Sequence, residues 1–190
     1  MCAAVNEWKR ALLAGAGFSP VRAFFRMRVD LTGPVAPAPF PEDLELRVFA
    51  PASEARAVHE ALDEAFADDF RPRHDPQEDW EQRLLGRPEF DPGLWFVAWD
   101  DAQVAGAVAA YDFGDIGWVQ GLGVRAPWRG RGVGLALLTQ AFAALHGRGQ
   151  TTVCLGVDSE NETGAGRLYE RAGMRVDQRW IFYRRELVRA

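Results

Sequence analysis

Lysine is nearly absent from this chain of 190 residues: Lys9 is the only one, and arginine supplies the other positive side chains. The formal net charge is -5 at pH 7. This charge argues against a general nucleic-acid binder, because such proteins depend on an excess of basic side chains. It weakly favours cationic partners. We therefore predict no nucleic-acid partner.

Cysteine and long apolar runs are also scarce. Cys2 and Cys154 lie far apart in the sequence, which fits a reducing compartment better than a disulfide framework. Because the chain has no CxxC motif and no Cys/His cluster, we predict no metal. No apolar run approaches the roughly 20 residues that a membrane span needs. We therefore predict a cytoplasmic protein with no membrane partner.

The rest of the composition is that of an ordinary folded protein, with 48% hydrophobic and 26% charged residues. A chain of this length can bury the core of one full domain. Four prolines crowd one short stretch, Pro34, Pro37, Pro39 and Pro41, which predicts an extended linker over residues 34–43. The linker divides a short N-terminal segment, 1–33, from a main domain, 44–190.

The N-terminal segment resembles the end of the chain. Residues 12–31 align without gaps on residues 168–187, so that Gly17 falls on Gly173 and Phe24 on Trp180. Both stretches predict a helix end, a glycine stop and an apolar strand. We interpret them as an internal repeat whose first copy keeps only its last helix and strand. The alternative, that any helix, glycine and strand would align this well, stays open.

Apolar side chains in the N-terminal strand also need cover. Phe18, Phe24, Phe25 and Met27 are costly to leave in water. We therefore expect this strand to pack on the main domain or to pair with a second chain.

Hydrophobic periodicity gives the element order of the main domain. Alternating Leu44, Leu46 and Val48 predict a strand, and an amphipathic helix follows. Asp75 as N-cap predicts a second helix through Leu85. The run "LWFVAW" predicts a strand that is apolar on both faces. Three strands in a meander, a long buried helix over about 132–146, a strand, a short helix and a closing strand complete a mixed α/β order.

Glycines crowd the start of the long helix, at Gly130, Gly132 and Gly134. A glycine-rich turn between a strand and a helix presents unpaired N–H groups at the positive end of the helix dipole, which predicts an anion site, above all for phosphate. The stretch has no lysine for a P-loop and lacks the spacing of the dinucleotide-binding fingerprint.

The pattern Arg129-x-x-Gly132-x-Gly134 resembles the phosphate-binding signature of the GNAT superfamily of N-acetyltransferases. The later stretch "NETGAGRLYERAGM", with Asn161, Tyr169 and Gly173, resembles its second signature. The resemblance covers about residues 44–187. It implies the GNAT fold, a mixed and mostly antiparallel central sheet with splayed central strands, flanked by about four helices. With the repeat, the chain also resembles tandem GNAT proteins related to mycothiol synthase, with a truncated first repeat.

The resemblance implies acetyl-CoA as co-substrate and assigns its binding residues. The backbone at the end of the third strand of the meander would pair with the pantetheine arm, which Asn161 would also contact. The amides of the glycine-rich turn would hold the pyrophosphate. A helix cap is the structural alternative for Asn161. The implied cofactor-binding residues are Leu122, Gly123, Val124, Arg129, Gly130, Arg131, Gly132, Val133, Gly134, Asn161 and Tyr169.

Tyr169 is the implied general acid, because a tyrosine with a reference pKa of about 10 stays protonated at pH 7 and can donate to a departing thiolate. A core aromatic is the structural alternative. Many relatives place a glutamate base at the position of Trp118, so this chain departs from the pattern.

The general base is therefore not assigned to one residue. Asp112 is the first candidate among several acids, and a water chain is an alternative. We interpret the remaining acids as a solvated helix face and the three histidines as solvated residues. The acids are Asp115, Glu60, Asp63, Glu64, Asp68 and Asp69, and the histidines are His59, His74 and His146.

Two functions remain at this point. The first is an acetyl-CoA-dependent N-acetyltransferase that transfers the acetyl group directly to a primary amine of a small molecule or peptide through a ternary complex. The second is a non-catalytic module that binds acyl-CoA as a sensor or assembly partner. The expected partner is a small-molecule amine acceptor, and a homodimer stays open.

Overall fold

The structure is a computed structural model that describes residues 2–3, 7–67, 74–161 and 164–186. The chain divides into two compact units. One comprises Val29–Cys154, and the other joins Met1–Arg28 with Leu155–Ala190. The N-terminal segment therefore groups with the C-terminal part of the chain, a division that the linker alone did not predict.

The described residues form α-helices and β-strands in mixed order. The helices are α1 (Glu7–Gly15), α2 (Pro51–Ala65), α3 (Gln77–Leu84), α4 (Val133–Gly147) and α5 (Ala165–Arg171). The strands are β1 (Cys2–Ala3), β2 (Ser19–Asp30), β3 (Glu45–Val48), β4 (Trp95–Asp100), β5 (Gln103–Asp112), β6 (Gly117–Val124), β7 (Thr152–Asp158) and β8 (Arg175–Arg184). The predicted fold class, mixed α/β, is confirmed. Within the described ranges, no helix is long and apolar enough to cross a membrane.

Strands β3 to β6 of the larger unit form an antiparallel meander in chain order. Five consecutive residues of β4 are buried, as the run "LWFVAW" predicts. Strand β6 carries one extra residue against β5, because Ala109 pairs with Gly121 and Ala110 with Val119. The residue between them, Gln120, is therefore a β-bulge, a feature common beside active sites.

Helices of the larger unit follow the sequence patterns with two corrections. Helix α4 buries eight of its residues, as its broad apolar face predicts. Helix α3 begins one residue later than predicted, with Pro76 as N-cap, because the Asp75 carboxylate accepts hydrogen bonds from Arg83 instead of from the helix amides. His59 is only 9% exposed and lies against Trp80, so the interpretation of His59 as a solvated residue is wrong.

Strands β2 and β8 of the other unit pair in antiparallel register, with Phe24 opposite Trp180. Strand β1 pairs with the other edge of β8. Strand β8 lies within residues 44–190, so the expectation that the N-terminal strand packs on the main domain is confirmed. The Phe24 ring meets Phe182 edge to face at a centroid distance of 4.8 Å, and Met27 is buried.

The glycine stops of the two aligned segments have the same hydrogen bonds. The amides of Phe18 and Met174 each donate to a carbonyl five residues earlier, at 2.9 and 3.0 Å. Gly17 and Gly173 both adopt left-handed φ, at 79° and 84°. This is the Schellman ending of a helix, for which glycine is favoured. The internal repeat stays a prediction that these matching bonds support.

An aromatic cluster forms part of the core of the larger unit. The rings of Trp80, Phe90 and Tyr111 each meet Trp95 edge to face. The Tyr111 hydroxyl donates to the Leu84 carbonyl at 2.9 Å. Burial raises the pKa of Tyr111 to about 12.

Tyr111→Phe is expected to change the alkaline stability of the protein. Because the folded pKa of Tyr111 lies above the unfolded value of about 10, its stabilisation is complete below pH 10 and is lost as pH rises through 12. The variant should be less stable by about 1 kcal/mol at pH 9, since it loses one hydrogen bond. Urea unfolding at pH 9 and 11.5 should show this difference in stability disappear or change sign at the higher pH, whereas a constant difference would contradict the assignment.

Candidate functional site

The glycine-rich turn connects the end of β6 to the start of α4. A short 3-10 turn, Ala126–Trp128, follows β6, and Gly132 is the N-cap of α4. Gly130 and Gly132 have left-handed φ values of 75° and 88°, and a Cβ on either would project into open space. These glycines are needed for backbone conformation, and the open space leaves room for a ligand against the turn.

The third glycine of the turn differs from the other two in its position. Gly134 lies within the first turn of α4 and is buried. Because Gly132 has no side chain, it cannot cap the first-turn amides of α4, which have no partner within the helix. The turn therefore places these amides and the positive end of a helix of 15 residues next to the exposed residues 130–132.

The arginines of the turn hold neighbouring elements in place. Arg129 donates from Nε to the Val124 carbonyl at 2.9 Å and from Nη2 to the Ala65 carbonyl at 3.2 Å. It thereby places a cation at the C-terminal end of α2, where the helix dipole is negative. Arg131 donates to Asp43, and this hydrogen bond lowers the pKa of that carboxyl. Phosphate contacts by these two side chains stay a prediction.

The last turn of α2 packs directly on the end of β6, the predicted pantetheine strand. A Cβ on Gly123 would lie 2.9 Å from Leu62 Cδ2, 3.0 Å from Ala65 Cβ and 3.5 Å from Phe66 Cε2. The sequence interpretation did not include these residues. A glycine within a strand is nevertheless a sign that another part of the chain approaches the strand closely at that position. Arg125 strengthens the contact, since it bonds Glu64 at 2.8 Å through Nε.

Gly123→Ala is expected to destabilise the protein by about 1 to 3 kcal/mol, because the added methyl overpacks the contact with α2. Gly166→Ala is the matched control, since nothing lies within 4 Å of its Cβ position. Its stability should be unchanged or raised by up to about 1 kcal/mol. Chemical denaturation of both variants checks this pair, and equal effects would contradict the close approach.

The predicted pantetheine-binding residues on β6 are the last three of the strand, and their contact with CoA stays a prediction. Leu122, Gly123 and Val124 pair with Val108, Ala107 and Gly106 of β5. Val133 is the buried first residue of α4. The larger unit thus brings together all predicted residues from 122 to 134, in one strand, turn and helix.

Asn161 and Tyr169 belong to the smaller unit. Asn161 follows β7, and its amide donates to the Asp158 carbonyl at 3.2 Å. Its predicted alternative as a helix cap does not apply, because Gly164 is the N-cap of α5. Tyr169 lies on α5 and is 8% exposed. Its roles in acid catalysis and cofactor binding stay predictions.

Asp112, the first candidate base, holds a turn. Its carboxylate accepts from the Gly114 amide at 2.8 Å and from Gln150 Nε2 at 2.6 Å. It pairs with Gly117 at the start of β6, the end far from the glycine-rich turn. The structure gives Asp112 a turn-forming role, and its part in catalysis stays a prediction.

Three acids of α2 have basic partners. Glu60 bonds Arg56, Asp63 bonds His74 Nδ1 and Glu64 bonds Arg125. These contacts fit the interpretation of a solvated, salt-bridged helix face. Asp68 and Asp69 lie outside the described residues.

Comparison with known proteins identifies the family of the domain that contains this strand, turn and helix. The model of the acetyltransferase (GNAT) family matches residues 56–174. Mycothiol acetyltransferase of Thermobispora bispora is 37% identical over 188 residues, covering 92% of this chain and 61% of the relative. The protein of the same name from Streptomyces coelicolor is 32% identical, covering 93% and 58%. The chain thus spans about 60% of the length of these curated relatives.

Solved structures agree with this placement. A GCN5-related N-acetyltransferase from Sphaerobacter thermophilus superposes with a TM-score of 0.83 at 36% identity, covering 95% of this chain and 56% of that one. A tandem GNAT protein from the clavulanic acid biosynthesis pathway superposes with a TM-score of 0.68 at 17% identity, covering 92% and 57%. The second likeness shows the fold alone. The match over residues 56–174 and these relatives show that the chain belongs to the GNAT acetyltransferase family.

Proposed function

We propose that this protein is an acetyl-CoA-dependent N-acetyltransferase that transfers the acetyl group directly to a primary amine. The observation that carries the proposal is the turn of left-handed glycines at the start of α4. A Cβ on Gly130 or Gly132 would enter the open space in front of the turn. Glycine at both positions lets a pyrophosphate approach the amides closely.

The residues of the turn fit CoA in charge as well as in shape. The dipole of α4 makes the amides of the turn electropositive. Arg129 and Arg131 flank Gly130 in sequence and would turn from their present partners to the phosphates. Charge-assisted hydrogen bonds between such amides and a phosphate are worth about 1.5 to 3 kcal/mol each. Leu122, Gly123, Val124 and Asn161 would hold the pantetheine arm.

Acetyl-CoA supplies a thioester, which an amine can attack without a covalent enzyme intermediate. In the proposed reaction, the new bond joins the amine nitrogen to the acetyl carbon, and the bond from that carbon to sulfur breaks. Tyr169 donates its hydroxyl proton to the sulfur of the departing CoA. Because a free amine with a pKa near 10.4 is about one part in 10³ neutral at pH 7, its proton must also leave. A carboxylate or bound water would accept it before the attack, and the second proton that the nitrogen loses as the amide forms would return to the Tyr169 oxygen.

The residues of the site indicate CoA more closely than they indicate the acceptor. The relatives named above are mycothiol acetyltransferases, which supports a small-molecule amine as acceptor here. Identity of 32% to 37% leaves the acceptor pocket free to differ. We therefore propose the class of acceptor, a primary amine, and not the compound.

A second candidate, a non-catalytic acyl-CoA-binding module, has its own support. Trp118 stands where many relatives have a glutamate base, and the Asp112 carboxylate is bonded within a turn. Both functions need the glycine-rich turn, so CoA binding does not separate them.

A thiol-release assay separates the two functions. The protein is mixed with acetyl-CoA and a panel of primary amines, including amino sugars, amino acids and diamines, and free CoA thiol is measured. The proposed enzyme should release thiol with at least one amine, in an amount equal to the acetylated product. Turnover with any amine rejects the non-catalytic module. Binding of CoA without thiol release across the panel would favour that module instead.

A further inference from the structure

The turn that carries Asn161 is built partly by the N-terminal strand. Strand β7 ends at Asp158, whose Oδ1 accepts from the Glu160 amide at 3.0 Å, and whose carbonyl accepts from the Asn161 amide at 3.2 Å. These bonds close an Asx turn. The conformation of Asn161 therefore depends on how Asp158 is held. We call residues 158–161 the Asp158 turn.

Arg22 of β2 holds the Asp158 carboxylate. Its Nε lies 2.9 and 2.8 Å from the two carboxylate oxygens, and its Nη1 lies 2.7 Å from Glu160 Oε2. The Asp158 side chain is only 10% exposed and that of Arg22 only 21%. An ion pair this well buried is screened little by solvent, and losing one partner leaves a charge that is costly to keep buried.

The neighbour of Arg22 makes a second attachment. Both the amide and the hydroxyl of Ser159 donate to the Ala23 carbonyl, at 3.1 and 2.9 Å. Side-chain and main-chain bonds from β2 therefore hold three consecutive residues of the turn, Asp158, Ser159 and Glu160. Asn161 is the next residue along the chain.

We infer that Arg22 is a positioning residue for CoA binding, acting through Asp158 on Asn161. The inference rests on the proposed function, in which Asn161 contacts the pantetheine chain. It gives the N-terminal segment a functional role: β2 orients the residue that would contact the pantetheine chain. The match to the family model begins at residue 56 and so does not cover this segment.

The chain contains a matched control on the same strand. Arg26 lies four residues after Arg22 and donates from Nε to Asp177 of β8 at 2.8 Å. The two arginines are about equally exposed, at 21% and 24%, whereas Asp177 is 29% exposed and Asp158 only 10%. Arg26→Gln therefore removes a comparable ion pair from β2 without touching the Asp158 turn.

The test measures CoA affinity by calorimetry for the full chain and for Arg22→Gln, Asp158→Asn, their double variant and Arg26→Gln. We expect Arg22→Gln and Asp158→Asn each to weaken CoA binding by about tenfold, or roughly 1.4 kcal/mol. The double variant should bind no more weakly than either single one. Arg26→Gln should bind like the unaltered protein. Additive losses, or equal affinity for Arg22→Gln and Arg26→Gln, would overturn the inference.

Hydrogen exchange tests the same inference without CoA. The amides of Glu160 and Asn161 should exchange faster in Arg22→Gln than in the unaltered protein, and Arg26→Gln should leave them unchanged. Unchanged exchange in Arg22→Gln overturns the inference. If the unaltered protein fails to bind CoA, the proposed function fails, and the exchange result still decides whether Arg22 orders the turn. Arg22→Lys, which keeps the charge but loses the planar guanidinium, serves if Arg22→Gln does not fold.

Discussion

Tyr169→Phe is expected to lower kcat by about 10² while the KM for acetyl-CoA changes little. The magnitude is that of general acid catalysis, since the variant retains the ring and loses only the proton donor. Tyr169 is 8% exposed, and phenylalanine keeps most of its packing. A loss confined to kcat identifies an interaction made in the transition state rather than in the bound substrate.

Tyr183→Phe is the control for this experiment. Tyr183 lies on β8 opposite Pro20 and has no proposed part in the reaction. Its kcat should equal that of the unaltered protein. Turnover of Tyr169→Phe close to that of Tyr183→Phe would remove Tyr169 as the acid. If Tyr169→Phe unfolds at the assay temperature, Tyr169 is needed for the stability of the core instead. The melting temperature of each variant is therefore measured together with its activity.

Gly132→Val is expected to weaken CoA binding by about 10² or more. Gly132 has a φ of 88°, a conformation that a β-branched residue adopts only with strain. The turn must then change shape, and its amides no longer face one anion. Losing two charge-assisted hydrogen bonds at about 1.5 to 3 kcal/mol each accounts for a loss of this size.

Gly149→Val separates loss of binding from backbone strain. Gly149 has a φ of 92° and open space at its Cβ position, but lies just beyond the other end of α4. Both variants should lose about 1 to 2 kcal/mol of stability, and only Gly132→Val should lose affinity for CoA. Equal CoA affinity in the two variants would contradict the role of the glycine-rich turn.

Much of the fold could be predicted from local sequence patterns. Five buried residues in β4 follow from an uninterrupted apolar run, and the left-handed Gly173 follows from its place after a helical stretch. The glycine-rich turn was predicted as a unit because strand, turn and helix are adjacent in sequence. The burial of His59 could have been predicted too, since Ala55, Val58, His59 and Leu62 have the spacing of one helical face.

Contacts between distant parts of the chain could not be predicted in this way. Arg22 and Asp158 are 136 residues apart, and neither lies in a motif that indicates its partner. The last turn of α2 was missed for the same reason, although Gly123 gave a local sign of it. Asp75 was predicted as a helix cap from its spacing, but the ion pair with Arg83 engages its carboxylate. Local patterns specify elements, and their partners depend on tertiary packing.

Thermal unfolding with and without CoA tests the central claim, that the glycine-rich turn at the start of α4 binds CoA. A ligand at 100 times its Kd adds about 2.7 kcal/mol to the stability of the folded protein. For a chain of 190 residues, this predicts a rise in Tm of roughly 5 to 10 °C. No rise in Tm at millimolar CoA or acetyl-CoA would contradict the claim.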